Sequence, residues 1–272
     1  TPNGTVKVDK GDDQTFEIGA EDGYIVTDVI VDGESIGVVD KYTFKDVKED
    51  HVLKIKVAKL LTGDHIAYIS GYPDGSVQAE ANITRAEASA IFYRLLSAEA
   101  RARYEATTAN FSDSNSHWAS KEIATLAKAG ILNGYNDGSF RPDDFITRAE
   151  FAAIAARFDK LSAGTMHFSD VPSTHWAYSV ISSAAEKGWV NGYSDGTFRP
   201  ENSITRAEVV KITNAVLDRV CDKEYVSKNI SNLNTFNDLY KTYWAYYEIM
   251  EAANAHDYEA VNGTETWTGL TK

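Results

Sequence analysis

One cysteine, Cys221, stands in 272 residues, so no disulfide can brace the chain internally. A nearly cysteine-free chain fits the cytosol or a cell surface that does without disulfides. No apolar run approaches the roughly 18 residues needed to cross a bilayer, so membrane insertion is not expected. No signal peptide is evident either; Thr1-Pro2-Asn3 reads as the start of a mature segment or a fragment, and localisation is not read from it. Cations are scarce: 27 Lys and Arg face 40 Asp and Glu, a formal net charge of −13. That sign argues against nucleic acid and anionic membranes as bulk electrostatic partners. Catalytic and metal signatures are missing as well. His117 and His175 have no second ligand at metal spacing. The recurring Asp-Gly pairs lack the alternating carboxylates and terminal Glu of an EF-hand. Cys221 has no catalytic histidine context, and no pair of carboxylates is identifiable as poised for glycoside hydrolysis. No catalytic residue, metal ligand or cofactor is therefore assigned, and the chain is read as a non-enzyme.

What is present divides into two parts. Residues 1–58 hold short alternating runs, Thr5 to Val8, Thr15 to Ile18, Tyr24 to Val31, Tyr42 to Phe44 and His51 to Val57, separated by turn residues. Val, Ile, Tyr and Thr at period two predict strands, and Asp32-Gly33 predicts a tight hairpin. This is a small all-β module with an acidic surface, and about sixty residues make only a marginal core. It resembles the short β repeats of bacterial surface proteins by pattern alone.

From about residue 64 a helical unit repeats. Ile-Thr-Arg-Ala-Glu occurs at 83–87, 146–150 and 204–208, spacings of 63 and 58 residues. Such a period signals a stacked or ring-closed repeat architecture. The motif predicts a helix start, with Thr as cap, Glu three residues on as its capping-box partner, and Ile before the cap with Ala88, Phe151 or Val209 where a hydrophobic staple would close. Arg falls at the first helical position, where its charge opposes the positive end of the helix dipole, so another role for it is expected. Ahead of this helix each full unit carries Phe111-Ser112-Asp113 or Phe168-Ser169-Asp170, then His117-Trp118-Ala119 or His175-Trp176-Ala177 opening a first helix, then Gly130 or Gly188 stopping it. Asn133-Gly134-Tyr135 with Asp137-Gly138, and Asn191-Gly192-Tyr193 with Asp195-Gly196, follow as turns. The first unit lacks its front half. A matching half, Phe236-Asn237-Asp238 with Tyr243-Trp244-Ala245, lies at the other end. Two full units and two complementary halves make three, so the C-terminal half is expected to close a ring.

Taken together, these motifs resemble the S-layer homology (SLH) repeat of bacterial cell-surface proteins over about residues 64–260. The resemblance implies a mainly α-helical pseudo-threefold spindle, built on a central three-helix bundle and following the β module. It divides the chain into a module at 1–58, the second half of repeat 1 at 64–110, repeat 2 at 111–167, repeat 3 at 168–226 and a closing half-repeat at 236–262. It also implies a protein of the cell surface, wall or S-layer, a monomer anchored non-covalently through a secondary cell-wall polysaccharide with pyruvylated N-acetylmannosamine, or through modified peptidoglycan. An S-layer self-assembly or scaffold role is the alternative from a different class. Sites in the family are grooves between repeats, with the motif arginine on the ligand carboxylate. By position this assigns Arg85, Arg148 and Arg206, with Ser76, Ser139 and Thr197 as further candidates. A guanidinium exposed at a helix N-terminus would suit a planar carboxylate; a salt bridge to a nearby acid is the competing reading. Trp118, Trp176 and Trp244 recur once per unit and would suit the apolar face of a sugar. Core packing competes here too, since Trp176 lies in helical register with Val180, Ile181 and Ala184. The first unit departs from the pattern, having Gln78-Ala79 where the others have Arg141-Pro142 and Arg199-Pro200, so the three grooves are not expected to be equivalent.

Overall fold

The computed structural model describes residues 4–161, 164–261 and 264–271; Thr1-Pro2-Asn3, Ser162, Ala163 and Asn262, all covered by the expectations above, lie outside them. The chain separates into two compact units, Thr1–Leu60 and Leu61–Lys272.

The first unit is built of five strands: β1 (Gln14–Glu17), β2 (Tyr24–Val31), β3 (Glu34–Gly37), β4 (Lys41–Phe44) and β5 (Leu53–Lys59). β1 pairs with β4, and β2 is the centre of a three-stranded antiparallel sheet between β3 and β5. Asp32 and Gly33 both take positive φ, 49° and 94°, between paired Val31 and Glu34. That is the backbone of a twist-matched two-residue hairpin. The alternation works as a core device, with Ile18, Val26 and Val29 buried under Val39, Tyr42 and Leu53. β3 was not anticipated, because Glu-Ser-Ile-Gly carries little strand propensity and all four residues are exposed. The run Thr5 to Val8 forms no strand, having no pairing partner among the described residues.

The second unit holds eight helices, counted among the described residues: α1 (Arg85–Leu95), α2 (Ala98–Tyr104), α3 (Ser120–Lys128), α4 (Arg148–Ala155), α5 (Tyr178–Glu186), α6 (Arg206–Val216), α7 (Lys223–Asn229) and α8 (Tyr246–Ala253). A hairpin, β6 (His256–Val261) with β7 (Thr264–Leu270), follows α8. The three Ile-Thr-Arg-Ala-Glu motifs open α1, α4 and α6, each with a complete capping box. α1 packs on α3, α4 on α5 and on α6, and α6 on α8. Phe92 of α1 stacks on Phe151 of α4 at 5.4 Å and on Phe158, in the 3-10 turn after α4, at 4.8 Å.

Backbone hydrogen bonds join the three motifs in a closed cycle. Ile83 N–H donates to the Ile204 carbonyl (3.2 Å), Ile204 to Ile146 (3.1 Å) and Ile146 to Ile83 (3.0 Å). All three isoleucines are fully buried. A second set of bonds recurs in step, from Arg85 N to Asp144 O, Arg148 N to Asn202 O and Arg206 N to Ala81 O, each at 2.9 Å. These occupy first-turn N–H groups that a helix cannot satisfy internally.

The Phe-x-Asp segment folds onto the turn after the first helix. Asp113 accepts from Phe140 N–H and Arg141 N–H at 2.8 Å each, and Asp170 does the same for Phe198 and Arg199. Asp238, from the C-terminal half, accepts from Val77 and Gln78. Gln78, Arg141 and Arg199 all have positive φ, between 50° and 59°. A carboxylate that accepts two successive N–H groups holds that left-handed kink in place. Gly71, Gly134 and Gly192 lie under the rings of Phe236, Phe111 and Phe168, where a Cβ would collide with the ring.

Partial burial pushes the Asp113 carboxyl up, but the two backbone N–H groups outweigh it, and its pKa falls below the ordinary carboxylate value. A depressed pKa gives stability that is present above the unfolded value and lost as pH falls through the folded one. Asp113→Ala should therefore lower unfolding free energy at neutral pH by about 1–2 kcal/mol, discounted for exposure. The difference from the unsubstituted chain should shrink below about pH 4, as urea titrations at pH 7 and pH 3 would show.

Candidate functional site

Arg85, Arg148 and Arg206 are buried, at 6, 5 and 7% exposure, and not exposed as the sequence reading held. The reason is that each side chain crosses into the next repeat. Arg85 Nε donates to Phe140 O (2.8 Å), Arg148 Nε to Phe198 O (2.8 Å) and Arg206 Nε to Val77 O (2.9 Å). Their Nη2 groups donate to Asn133 O, Asn191 O and Ser70 O at 3.1–3.3 Å. A guanidinium whose fork is filled by carbonyls can be buried at tolerable cost. This is also where the charge goes that the helix dipole disfavours.

Each guanidinium also lies against a tyrosine. Arg85 sits 4.8 Å from the Tyr135 ring, Arg148 5.0 Å from Tyr193 and Arg206 5.0 Å from Tyr72. On Tyr135 and Tyr193 a second cation stacks, Arg141 at 4.1 Å and Arg199 at 3.8 Å. Burial and the bond to Glu150 push Tyr135 up to about 12, so its hydroxyl remains a donor.

Here the junctions diverge. Glu150 uses Oε2 to cap its own helix, and Oε1 accepts from Tyr135 OH (2.6 Å) and Arg85 Nη1 (3.1 Å). Glu208 repeats this, with Tyr193 OH at 3.1 Å and Arg148 Nη1 at 2.6 Å. Glu87 caps α1 in the same way, yet among the described residues no carboxylate stands within ion-pair distance of Arg206. Two of the three arginines thus carry a buried ion pair, and the third does not.

The small hydroxyls bind their own turns. Ser76, Ser139 and Thr197 donate at 2.6 Å to Asp74, Asp137 and Asp195, and Ser76 is buried. Arg141 and Arg199 ion-pair with Asp137 (2.8 Å) and Asp195 (3.0 Å) at the surface. The hydroxyl of Thr197, the Arg199 guanidinium and the Thr197 N–H hold the Asp195 carboxyl down, at about 2. In the first repeat Gln78 donates to Ser76 instead and brings no charge.

Trp118, Trp176 and Trp244 are exposed, at 62, 61 and 54%. Each precedes its helix: α3, α5 and α8 begin two residues later, with Ala119, Ala177 and Ala245 as caps. Helical register does not extend to a residue ahead of the cap, which is why the core reading of Trp176 fails. The histidine before two of the indoles organises the helix start. His117 Nδ1 accepts from Ala119 N–H and His175 Nδ1 from Ala177 N–H. No cation–π contact links any of the three indoles to the three buried arginines; Lys211 lies 5.7 Å from the Trp244 ring.

A model of the S-layer homology domain matches residues 67–89, 110–152 and 167–210. The chain belongs to the SLH family. It is 38% identical over 213 residues to a cellulosome-anchoring protein of Acetivibrio thermocellus, 75% of this chain and 46% of that protein. It is also 38% identical over 214 residues to cell surface glycoprotein 1 of the same organism, 72% of this chain and 9% of that protein. An amylopullulanase of Thermoanaerobacterium thermosulfurigenes is 35% identical over 187 residues, 65% of this chain and 10% of the enzyme. The chain thus spans less than half the length of these relatives.

The sequence reading of this SLH chain missed the tyrosines and Glu150 and Glu208, which appeared only as turn and capping residues. It also missed a cluster of His65, Glu251, His256 and Glu265, whose members are up to 200 residues apart in sequence. No local spacing announces either group. Because the Arg148–Glu208 pair is buried, Arg148→Ala should cost about 3–5 kcal/mol by leaving Glu208 uncompensated. Arg141→Ala should leave the urea midpoint nearly unchanged, since its pair is solvated.

Proposed function

We propose that the SLH unit anchors a larger polypeptide non-covalently to the bacterial cell wall, as a binding module and not an enzyme. The ligand on this reading is a secondary cell-wall polysaccharide carrying a carboxylate-bearing sugar such as pyruvylated N-acetylmannosamine, held between repeats. The relatives, a cellulosome-anchoring protein and a cell surface glycoprotein, support the anchoring part. The observation that carries the glycan part is the row of indoles, one per repeat unit and each more than half exposed. A soluble protein gains nothing in stability from such exposure, and an aromatic face covers the C–H surface of a sugar.

The arginines are not equivalent on this reading. Glu150 and Glu208 already occupy Nη1 of Arg85 and Arg148, where a ligand carboxylate would bind. Arg206 keeps its charge uncompensated, so the junction closed by the C-terminal half leads as the site for an anion. The pseudo-threefold spindle fits the closed cycle of hydrogen bonds through Ile83, Ile146 and Ile204. A chain of charge −13 repels an anionic polymer at distances up to the Debye length, so binding must come from short-range contacts.

The test is pull-down on purified Gram-positive walls before and after mild acid extraction of the secondary polysaccharide. Binding should be lost on extraction; retention would move the ligand to peptidoglycan, and no binding to either wall would favour the scaffold role. The triple variant Trp118→Ala, Trp176→Ala, Trp244→Ala should stay folded and lose at least about tenfold in affinity, at about 1–3 kcal/mol per buried aromatic contact. Arg206→Lys should weaken binding more than Arg85→Lys. Affinity should fall only weakly as salt rises, or increase; a steep loss would indicate diffuse charge attraction instead.

A further inference from the structure

Four titratable side chains from distant parts of the SLH unit converge where its first residues meet its last. His65 lies in the segment ahead of α1, Glu251 in α8, His256 at the start of β6 and Glu265 in β7. Their side chains are 4, 0, 0 and 6% exposed. His65 Nδ1 stands 2.9 Å from His256 Nε2, 3.3 Å from Glu251 Oε1 and 3.2 Å from Glu265 Oε1. His256 Nε2 stands 3.5 Å from Glu251 Oε1 and 3.1 Å from Glu265 Oε1. All four ligand atoms lie within 4.8 Å of one another.

Proton-mediated bonds account poorly for this packing. His256 Nδ1 is 2.8 Å from the Asn254 carbonyl, which takes the ring proton and leaves Nε2 with its lone pair toward the centre. His65 Nδ1, Glu251 Oε1 and Glu265 Oε1 all lie within 3.5 Å of that nitrogen. Glu251 is fully buried, and neither of its oxygens has a hydrogen-bond partner, although two imidazole nitrogens stand within 3.5 Å. A buried carboxylate in that condition is costly.

A divalent ion at that centre resolves each point. For bonds of about 2.0–2.1 Å, a tetrahedral site has edges of about 3.3–3.4 Å; five of the six separations run from 2.9 to 3.5 Å, and the sixth, between the two carboxylates, lies within 4.8 Å and would close by a small side-chain movement on binding. Two neutral imidazoles, two carboxylates and M²⁺ sum to zero charge. The surroundings are built as a supporting layer. Tyr258 stacks on His65 at 3.8 Å and Trp267 on His256 at 3.7 Å. Trp267 Nε1 donates to Glu265 Oε1 (3.0 Å), and Arg219 fixes the His65 segment through the Asp64 and Ile66 carbonyls.

We propose that His65, Glu251, His256 and Glu265 form a closed, four-coordinate site for a divalent transition ion, zinc foremost. Two imidazoles and two carboxylates in a tetrahedron suit zinc, and four protein ligands leave no position for chemistry, so the ion is structural. It would tie the segment ahead of α1 to α8 and to the β6–β7 hairpin, and so fasten the closing half-repeat.

The experiment takes the 272-residue chain, stripped with a chelator, and titrates it with Co²⁺ and then Zn²⁺. One Co²⁺ per chain should bind with the intense visible bands of tetrahedral coordination, and Zn²⁺ should displace it. Zinc should raise the Tm in a concentration-dependent way. Glu251→Gln, which keeps the shape, should weaken zinc binding at least about 100-fold. Absence of stoichiometric binding, a weak octahedral cobalt spectrum, or unchanged zinc affinity in Glu251→Gln would each overturn the assignment. Should that variant fail to fold, the cobalt spectrum of the unsubstituted chain decides alone.

Discussion

A guanidinium at the start of a helix needs somewhere to put its charge, and in this SLH chain the neighbouring repeat provides it. At each junction the Arg fork is filled by carbonyls of the next unit, and the backbone N–H of the same residue donates to that unit as well. The helix N-terminus is thereby finished by its neighbour and not by water. A single unit would leave first-turn N–H groups, a buried cation and an apolar face all unsatisfied. That is why the repeat cannot stand alone and why closure of the cycle is a condition for the fold.

Much of this was legible because the governing signals are local. The capping boxes, the glycine stops at 130 and 188 and the Asp32-Gly33 hairpin each depend on a few adjacent residues, and the structure has all of them. The destination of the arginines was not legible. Exposure at a helix start is a fair default for an isolated helix, but burial here comes from a repeat about 50 residues on, or, for Arg206, about 130 back. For the indoles only the competing core reading fails, because helical periodicity does not extend to Trp176, ahead of the cap at Ala177. The hairpin β6–β7 was missed as well. α2 and α7 were missed too, their only marks being the short caps Ser97 and Asp222.

The third junction departs from the other two for a topological reason. Where the chain is continuous, each repeat supplies both the tyrosine and the glutamate that meet the incoming arginine. Repeat 1 is assembled from two ends of the chain. Its turn carries Gln78 in place of the Arg141 and Arg199 of the others, and its Glu87 does not reach Arg206. Asp238 still holds Val77 and Gln78 as its counterparts do, so the backbone framework survives while the charges differ.

A seam between chain ends is also the weakest point of a closed ring, because no peptide bond crosses it and loop closure must be paid for in entropy. Noncovalent links have to make up the difference. The bonds from Tyr68 and Ile69 to the Ala252 carbonyl, the pairing of His65 with His256 and the Tyr243 hydroxyl on Glu80 all cross it. Glu265 is held by Val220 N–H and Trp267 Nε1, whereas Glu251 has no hydrogen-bond partner and is costly to bury. With a cation among them the same residues become one of its strongest links. Ring closure and the proposed ion therefore bear on the same seam, which also completes the repeat that receives Arg206, the one motif arginine without an ion pair among the described residues.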